Sequence, residues 1–450
     1  MSSSPQPICV YARWRPLAAI ETEVGEFEHA INSQPNRQLH SISIKPEAPH
    51  KDKPWSSPAA FKGVFTQEDD NDSIFSQIVA PILPKVLRGA TYNYFAYGHS
   101  GSGKTHTIIG YDYEHESRLG LSLAAARVLF TELDIHNANA GEDTLGLGLS
   151  VFELRKSTAF DLLNERTQCH IRQGADGKTH IRGPTKMLEG GKVRVQPIVQ
   201  RACWTLDELR KELQKSLGLR AVGSSSVHDQ SSRTHAVLEL EVINSHLMKA
   251  RQALYDRQSE LVPVGKYADD VQIEEQTKSV IPIEGGGYQP NPDYKVNQEK
   301  IDAAEAERAR FEARIAEAEE KVASIMHVEG QDTPRLGGRL IFVDLAGSEY
   351  QTDPRLSHLL LPKQTPQERQ EGRQINTDLL ALKEVIRACA SGQERIPFRS
   401  SPLTMVLREH FLSGKDGTST MIVTASSAQS QYAATLNSLK YGSLVGVSGK

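Results

Sequence analysis

Long apolar runs are missing from this 450-residue chain. No stretch approaches the roughly 20 apolar residues that a membrane-crossing helix needs, and "MSSSPQPICVYARWRPL" lacks the unbroken apolar centre of a secretory signal. A cytosolic protein without a membrane span is expected. Cysteine is scarce too: Cys9, Cys169, Cys203 and Cys389 stand far apart, with neither C-x-x-C spacing nor matched histidines. That argues against a disulfide framework and against a zinc site, and leaves the four as small buried side chains. Nor is there a large excess of one charge. A net of −4 argues against broad nucleic-acid binding.

What is there suits a soluble globular chain, with 38% hydrophobic and 24% charged residues, able to bury a sizeable core as one large domain or as two or three ordinary ones. The charge is unevenly spread. Residues 246 to 335 hold 12 Lys and Arg against 18 Asp and Glu, which leaves the remainder slightly basic. Within this acidic segment, "IDAAEAERARFEARIAEAEEKVASI" sets Ile301, Ala304, Phe311, Ile315, Ala318, Val322 and Ile325 at alternating steps of three and four, with Arg308 interrupting the row. The spacing predicts a long amphipathic helix, either solvated or paired in coiled-coil fashion with a helix over "SHLMKARQALYDRQSEL". Between them "VIPIEGGGYQPNPDY" reads as a loop or disordered linker.

Elsewhere strand-like and helical stretches alternate. "LGLSVFEL", "RTHAVLELEVI" and "GRLIFVDLAG" read as strands; "TLDELRKELQKSL", "GRQINTDLLALKEVIRACA" and "AATLNSLKYGSLV" read as helices. This order predicts an α/β fold with a mostly parallel central sheet and helices on both faces.

One stretch carries chemistry. In "FAYGHSGSGKTHT", Gly98 and Gly103 to Thr105 fit G-x-x-x-x-G-K-[ST], directly after the strand-like "TYNYFAY". A strand that breaks into glycines and restarts as a helix aims several N–H groups and the positive helix end at one spot, which suits a polyphosphate. Lys104 then reaches the β- and γ-phosphates, and the Thr105 hydroxyl ligates Mg²⁺. A flexible glycine turn is the bland alternative, and the preceding strand argues against it. "RLIFVDLAGSE" adds a strand ending in Asp344, where an acid can stand near Mg²⁺, and Gly347 can offer its N–H to a γ-phosphate at close range. "SSVHDQSSRTH" supplies Ser232 as a second hydroxyl ligand for Mg²⁺, and Arg233 and Glu349 have the charges to bridge the two loops. Alone, that segment reads more readily as an ordinary serine-rich loop in which Arg233 is a solvated charge.

"GHSGSGKTHT", "SSRTH" and "DLAGSE", in this order, resemble the three nucleotide-contacting loops of the kinesin motor domain. "RWRPL", "FELRKSTAFDLLN", "INTDLLALKEVIRA" and "IPFRSSPLT" extend the resemblance over roughly 350 residues, the segment 246 to 335 being the main exception. The resemblance implies a P-loop NTPase-type motor domain over residues 1–450, interrupted by the acidic insertion at 246–335. It implies ATP and Mg²⁺ as cofactors and the microtubule as partner. Arg13, Pro16 and His106 would border the adenine. Gly98, His99, Ser100, Gly101, Ser102, Gly103, Lys104 and Thr105 would surround the phosphates. Thr105 and Ser232 would ligate Mg²⁺ directly, and Asp344 would do so through water. Ser231 and the bridge from Arg233 to Glu349 would position the attacking water, and Gly347 would report the γ-phosphate. Lys383, Arg387, Arg399 and Arg408 would face acidic tubulin from a helix over residues 369 to 390 and the segment after it.

The sequence departs from the family pattern in places. His228 stands where Asn is usual, Ser400 and Pro402 where Asp and Lys are common, and the loop from Tyr350 to Gln370 is long. "LLALKEVIRA", "EGRQIN" and "TLNSLKY" resemble the internal-motor kinesins that depolymerise microtubules, yet their Lys-Val-Asp tip is missing from residues 40 to 65 and no basic neck precedes the first strand. A microtubule-stimulated ATPase is the expected function, with a nucleotide-dead microtubule adaptor as the alternative. A guanine switch is disfavoured because no Asn-Lys-x-Asp occurs. The insertion is expected to bind a protein partner or to space the motor from its lattice.

Overall fold

The computed structural model describes residues 8–34, 38–46, 53–138, 144–174, 179–189, 193–220, 233–283, 286–327, 334–348, 366–412 and 417–448. They divide into two compact units. The larger spans residues 1–182, 197–243 and 332–450; the smaller comprises Gly183–Gln196 and Asn244–Gln331.

The larger unit is built on a twisted sheet whose strands, in chain order, are β1 (Ile8–Arg15), β2 (Gly63–Phe65), β3 (Thr91–Tyr97), β4 (Leu145–Arg155), β5 (Thr158–Asp161), β6 (Thr167–Gln173), β7 (Thr179–Met187, of the smaller unit after Arg182), β8 (Val193–Pro197, of the smaller unit up to Gln196), β9 (Arg201–Cys203), β10 (His235–Asn244), β11 (Arg339–Asp344) and β12 (Ser419–Ser426). In space they run β8-β7-β6-β5-β4-β10-β11-β3-β12-β1-β2, with β9 on β4. Around β3 the pairings β11–β3, β12–β3, β1–β12 and β1–β2 are parallel. Toward the other edge β10–β11, β4–β5, β5–β6 and β6–β7 are antiparallel.

Strand β3 shows why the sheet is covered on both faces. Tyr92, Tyr94 and Ala96 enter one buried cluster, whereas Phe95 and Tyr97 enter another. A strand buried on both sides reads as a continuous apolar run, as "TYNYFAY" does. Helices α1 (Asn71–Ile78), α3 (Leu121–Asn137) and α4 (Leu206–Gly218) pack into the first cluster. Helices α7 (Pro366–Ala390), α8 (Pro402–Leu412) and α9 (Tyr432–Ser448) pack into the second. Helix α4 starts where its sequence says it should: Thr205 accepts a hydrogen bond from the Glu208 N–H, and Asp207 and Glu208 sit in the positive first turn.

The smaller unit is an antiparallel pair, α5 (Ser245–Lys278) and α6 (Gln298–Met326). The cross-helix ion pairs Lys300–Glu274, Arg308–Asp269 and Arg314–Glu260 run in opposite senses along the two helices and fix that direction. Asn244 and Asn297 cap the two helices through their side-chain oxygens. The apolar stripe read from the sequence faces α5, with Ala304 buried and Ile301, Phe311, Ile315, Ala318, Val322 and Ile325 half-buried. Arg308, the break in that stripe, reaches across to Asp269 at 3.1 Å. The linker expected at 280–294 is not a plain loop. Val280–Pro282 and Tyr288–Pro290 pair as a ribbon, because Gly286 and Gly287 take φ of 93° and 114° and let the chain reverse. Residues 183–196 also belong to this unit, through an ion pair from Arg194 to Asp256 that no sequence pattern announced.

Candidate functional site

Ala96 of β3 pairs in parallel with Asp344 of β11, so the loops leaving both strands open at the same, carboxyl, edge of the sheet. There the chain breaks into Gly98–Gly103 and restarts as α2 (Lys104–Ile108). Gly101 and Gly103 take φ of 74° and 100°, which a residue with a Cβ adopts only under strain. The loop is anchored from behind: the Ser102 hydroxyl lies 2.6 Å from that of Thr424 on β12 and donates to the His99 carbonyl at 2.7 Å. His99 is itself buried, its Nδ1 2.8 Å from the Ser100 carbonyl and its Nε2 3.3 Å from the Thr435 hydroxyl on α9. Burial pushes its pKa down to about 3, so the ring is a neutral strut.

Lys104 lies inside this loop, 5% exposed, and donates to the carbonyls of Gly98 and His99 at 3.1 and 2.8 Å. Burial lowers its pKa to about 8, against the opposing pull of Asp344. The Thr105 hydroxyl donates to Asp344 Oδ2 at 2.8 Å. The lysine, threonine and aspartate read from two distant segments are therefore neighbours.

Sequence reasoning missed a fourth member. Arg220, just after α4, donates to Asp344 Oδ2 at 2.6 Å and to the Thr234 carbonyl at 2.8 Å, with only 5% of its side chain exposed. Removing either partner of so buried a pair strands a charge, at a cost of about 3–5 kcal/mol. A lone arginine after a helix carries no motif, so nothing in the sequence marked it.

Gly347 packs against the loop so closely that an added Cβ would stand 2.7 Å from the Ser100 N. Ser348 N donates to the Gly98 carbonyl at 3.2 Å. Three buried polar atoms here, Asp344 Oδ1, Ser100 Oγ and Ser348 Oγ, have no hydrogen-bond partner among the described residues. Such orphans cost free energy unless something polar meets them. With the N–H groups of the loop, the Lys104 ammonium and the Thr105 hydroxyl, they fit a phosphate chain and a hard cation with its water.

Of the residues expected near the adenine, Pro16 is exposed. Arg13 is a buried brace, 4% exposed, donating to Asn71 and Thr107 at 2.6 and 2.7 Å. Burial lowers the pKa of His106, whose ring lies 5.8 Å from that of Tyr111. Arg15, also missed, donates to the Gly101 carbonyl at 2.7 Å and is paired with Glu21. Ser231, Ser232, Glu349 and His228 lie outside the described residues, and so does the expected bridge from Arg233 to Glu349. Arg233 itself stands 3.9 Å from Glu371 on α7, which also binds Arg155 at 2.6 Å.

The four residues expected to face a partner are apart from this pocket. Lys383 lies over the Tyr441 ring at 5.9 Å, Arg387 pairs with Glu384 at 3.5 Å, Arg399 is exposed and Arg408 is half-buried. A second basic surface went unnoticed in the sequence. On the β6–β7 ribbon, His170 faces Arg182 and Arg172 faces His180 in direct register, and His170, Arg172 and Arg182 are exposed. Only the register reveals the cluster.

Known proteins resemble this chain in sequence and in fold. The kinesin motor domain family model matches residues 13–267 and 265–446. The kinesin-like proteins KIN-13B of Arabidopsis thaliana and KIN-13A of Oryza sativa subsp. japonica are each 26% identical over 385 residues, 86% of this chain but only 39% and 34% of theirs. The chain thus spans well under half the length of these curated relatives. Among solved structures, a fast kinesin matches with a TM-score of 0.57 over 99% of this chain and 92% of its own. A KIF14 dimer with AMP-PNP in complex with a microtubule matches with 0.59 over 98% and 94%. Both are 20% identical, so the likeness is one of fold.

Proposed function

Because this chain belongs to the kinesin motor family, we propose that it is a Mg²⁺-dependent, microtubule-stimulated ATPase that moves along microtubules or remodels their ends. The observation that carries this reading is the convergence of Lys104, Thr105 and Asp344 beside three orphaned polar atoms at one edge of the sheet. Lys104 and the loop N–H groups would hold the β- and γ-phosphates. Thr105, with Ser232 from the serine-rich loop, would ligate Mg²⁺, and Asp344 would hold one of its waters through Oδ1. Bound there, the cation would neutralise phosphate charge that develops during transfer. Ser231, Arg233 and Glu349 would align the attacking water. Most of the acceleration would come from such positioning and charge stabilisation.

Loop closure at Gly347 would become mechanical output by moving α7. Lys383, Arg387, Arg399 and Arg408 would then bear on the acidic tubulin surface. The basic face of the β6–β7 ribbon suits the same partner. We assign the protein to microtubules on this ground, and the insertion to a protein partner or a spacer role.

The test is steady-state phosphate release with and without microtubules. The reading expects turnover that rises with microtubule concentration, and a Glu349→Ala variant that still binds nucleotide without hydrolysing it. Turnover by that variant equal to the parent's refutes the role given to Glu349; no turnover by the parent refutes the ATPase.

A further inference from the structure

Helix α7 meets the loops of the nucleotide site through two carboxylates spaced seven residues apart, hence on one face. Glu371, 6% exposed, stands 3.9 Å from Arg233 and is held by Arg155 at 2.6 Å. Asp378, 3% exposed, stands 4.0 Å from the Nε2 of His235, the first residue of β10. Arg155, Arg233, His235, Glu371, Gln374 and Asp378 border a space of about 10 Å³, close to the room one water needs.

The His235 ring is oriented from its other side. Its Nδ1 accepts the Ala346 N–H at 3.1 Å, in the loop between Asp344 and Gly347. A ring nitrogen that accepts carries no proton, and burial pushes the His235 pKa down to about 3, so the neutral ring carries its hydrogen on Nε2. That Nε2 is buried, has no hydrogen-bond partner among the described residues, and points toward the Asp378 carboxylate. The carboxylate is braced from behind by Gln374 at 3.1 Å and by the Ser401 hydroxyl ahead of α8.

We propose that Asp378 is a positioning residue of the nucleotide site: through the rigid His235 ring it fixes where Ala346 and Gly347 lie, and ties that placement to α7. This rests on the ATPase reading above. A hydrogen bond needs about 3 Å, so a shift of about 1 Å of α7 toward β10 closes the Nε2–H to Asp378 contact. The reverse shift opens it again and leaves the His235–Ala346 contact without support from α7. Glu371 approaches Arg233 at a similarly loose distance, so one displacement of the helix engages or releases both loops together.

Three variants separate this from simple packing. Asp378→Asn keeps the shape and removes the charge that faces the Nε2–H; Asp378→Glu keeps the charge and adds reach across the gap. The proposal expects Asp378→Asn to lower kcat for ATP about tenfold with KM within about twofold, because Lys104 and Thr105 are untouched, and expects Asp378→Glu to retain most of the rate. A packing role expects the opposite order, the isosteric Asn harmless and the larger Glu harmful, and that order overturns the proposal. His235→Gln, which keeps one nitrogen donor and loses the ring, should match Asp378→Asn, and their double variant should add nothing further. Independently of turnover, ¹⁵N–¹H spectra should show the Nε2–H tautomer of His235 in the parent and a shifted Ala346 amide resonance in Asp378→Asn. A parent without ATP turnover sinks the ATPase reading alone, whereas an unchanged Ala346 amide resonance in Asp378→Asn sinks this one.

Discussion

The two units of this chain are stabilised by different physics. In the larger unit, β3, β11 and β12 bury both faces: Phe342, Val343, Met421 and Ile422 are fully inside, and Phe342 stacks on Tyr94 with ring centres 5.3 Å apart. The smaller unit buries one thin seam, Ala268, Val271 and Ala304 with Ile301 against them, and laces its surface with ion pairs among exposed side chains. Apolar burial is insensitive to salt and contributes several kcal/mol per large side chain, whereas exposed ion pairs contribute at most about 1 kcal/mol each and weaken as salt rises. A site that must hold Lys104 and Asp344 within fractions of an ångström therefore belongs on the first kind of scaffold. The smaller unit, a helical arm, offers no such scaffold.

This contrast can be broken at several points. The largest effect is expected from Lys104→Ala, which removes the loop's charged donor; fluorescent ADP titration should show affinity falling roughly 100-fold, with both units still folded. Next, Phe342→Ala should cost about 3–5 kcal/mol in the denaturant transition of the larger unit, while Ile301→Ala, at a half-buried seam position, should cost no more than about 1–2 kcal/mol in that of the arm. Comparable losses at the two positions would mean that the arm has a core like the motor's.

Acid should loosen the arm over a definite range. Hydrogen bonds from Lys278 and Lys300 hold the Glu274 pKa down at about 2. A depressed carboxylate contributes stability above its unfolded value, near 4.5, and loses that contribution as pH falls toward 2. Far-UV circular dichroism of the parent minus that of a chain lacking residues 250–330 should lose helix between about pH 5 and 2, and earlier in 1 M salt. The smallest effect is expected from that deletion itself: basal ATP turnover should stay within about twofold, since loop-closure costs grow slowly with length. A collapse of folding would show that the arm supports the sheet.

Much of this was legible beforehand. The glycine loop after "TYNYFAY", the acid ending "RLIFVD" and the stripe from Ile301 to Ile325 announce themselves because they are local: spacing along the chain is spacing on a strand, a turn or a helix face. The ribbon at Val280–Pro282 and Tyr288–Pro290 was hidden by prolines and glycines that read equally as a linker. Arg220, the cross-strand basic pairs of β6 and β7, and the carboxylates of α7 beside Arg233 and His235 gave no sign, since each depends on which distant segment is brought alongside.

From the sequence alone came the α/β architecture, the phosphate loop and the family, because these follow from periodicity, glycine conformation and ordered motifs within short windows. Only the tertiary structure decided that Arg220 shares Asp344 with Thr105, and that His235 stands between Ala346 and Asp378. Electrostatic partners are chosen by distance in space, and once a chain has folded back on itself that distance is no longer a function of separation in sequence.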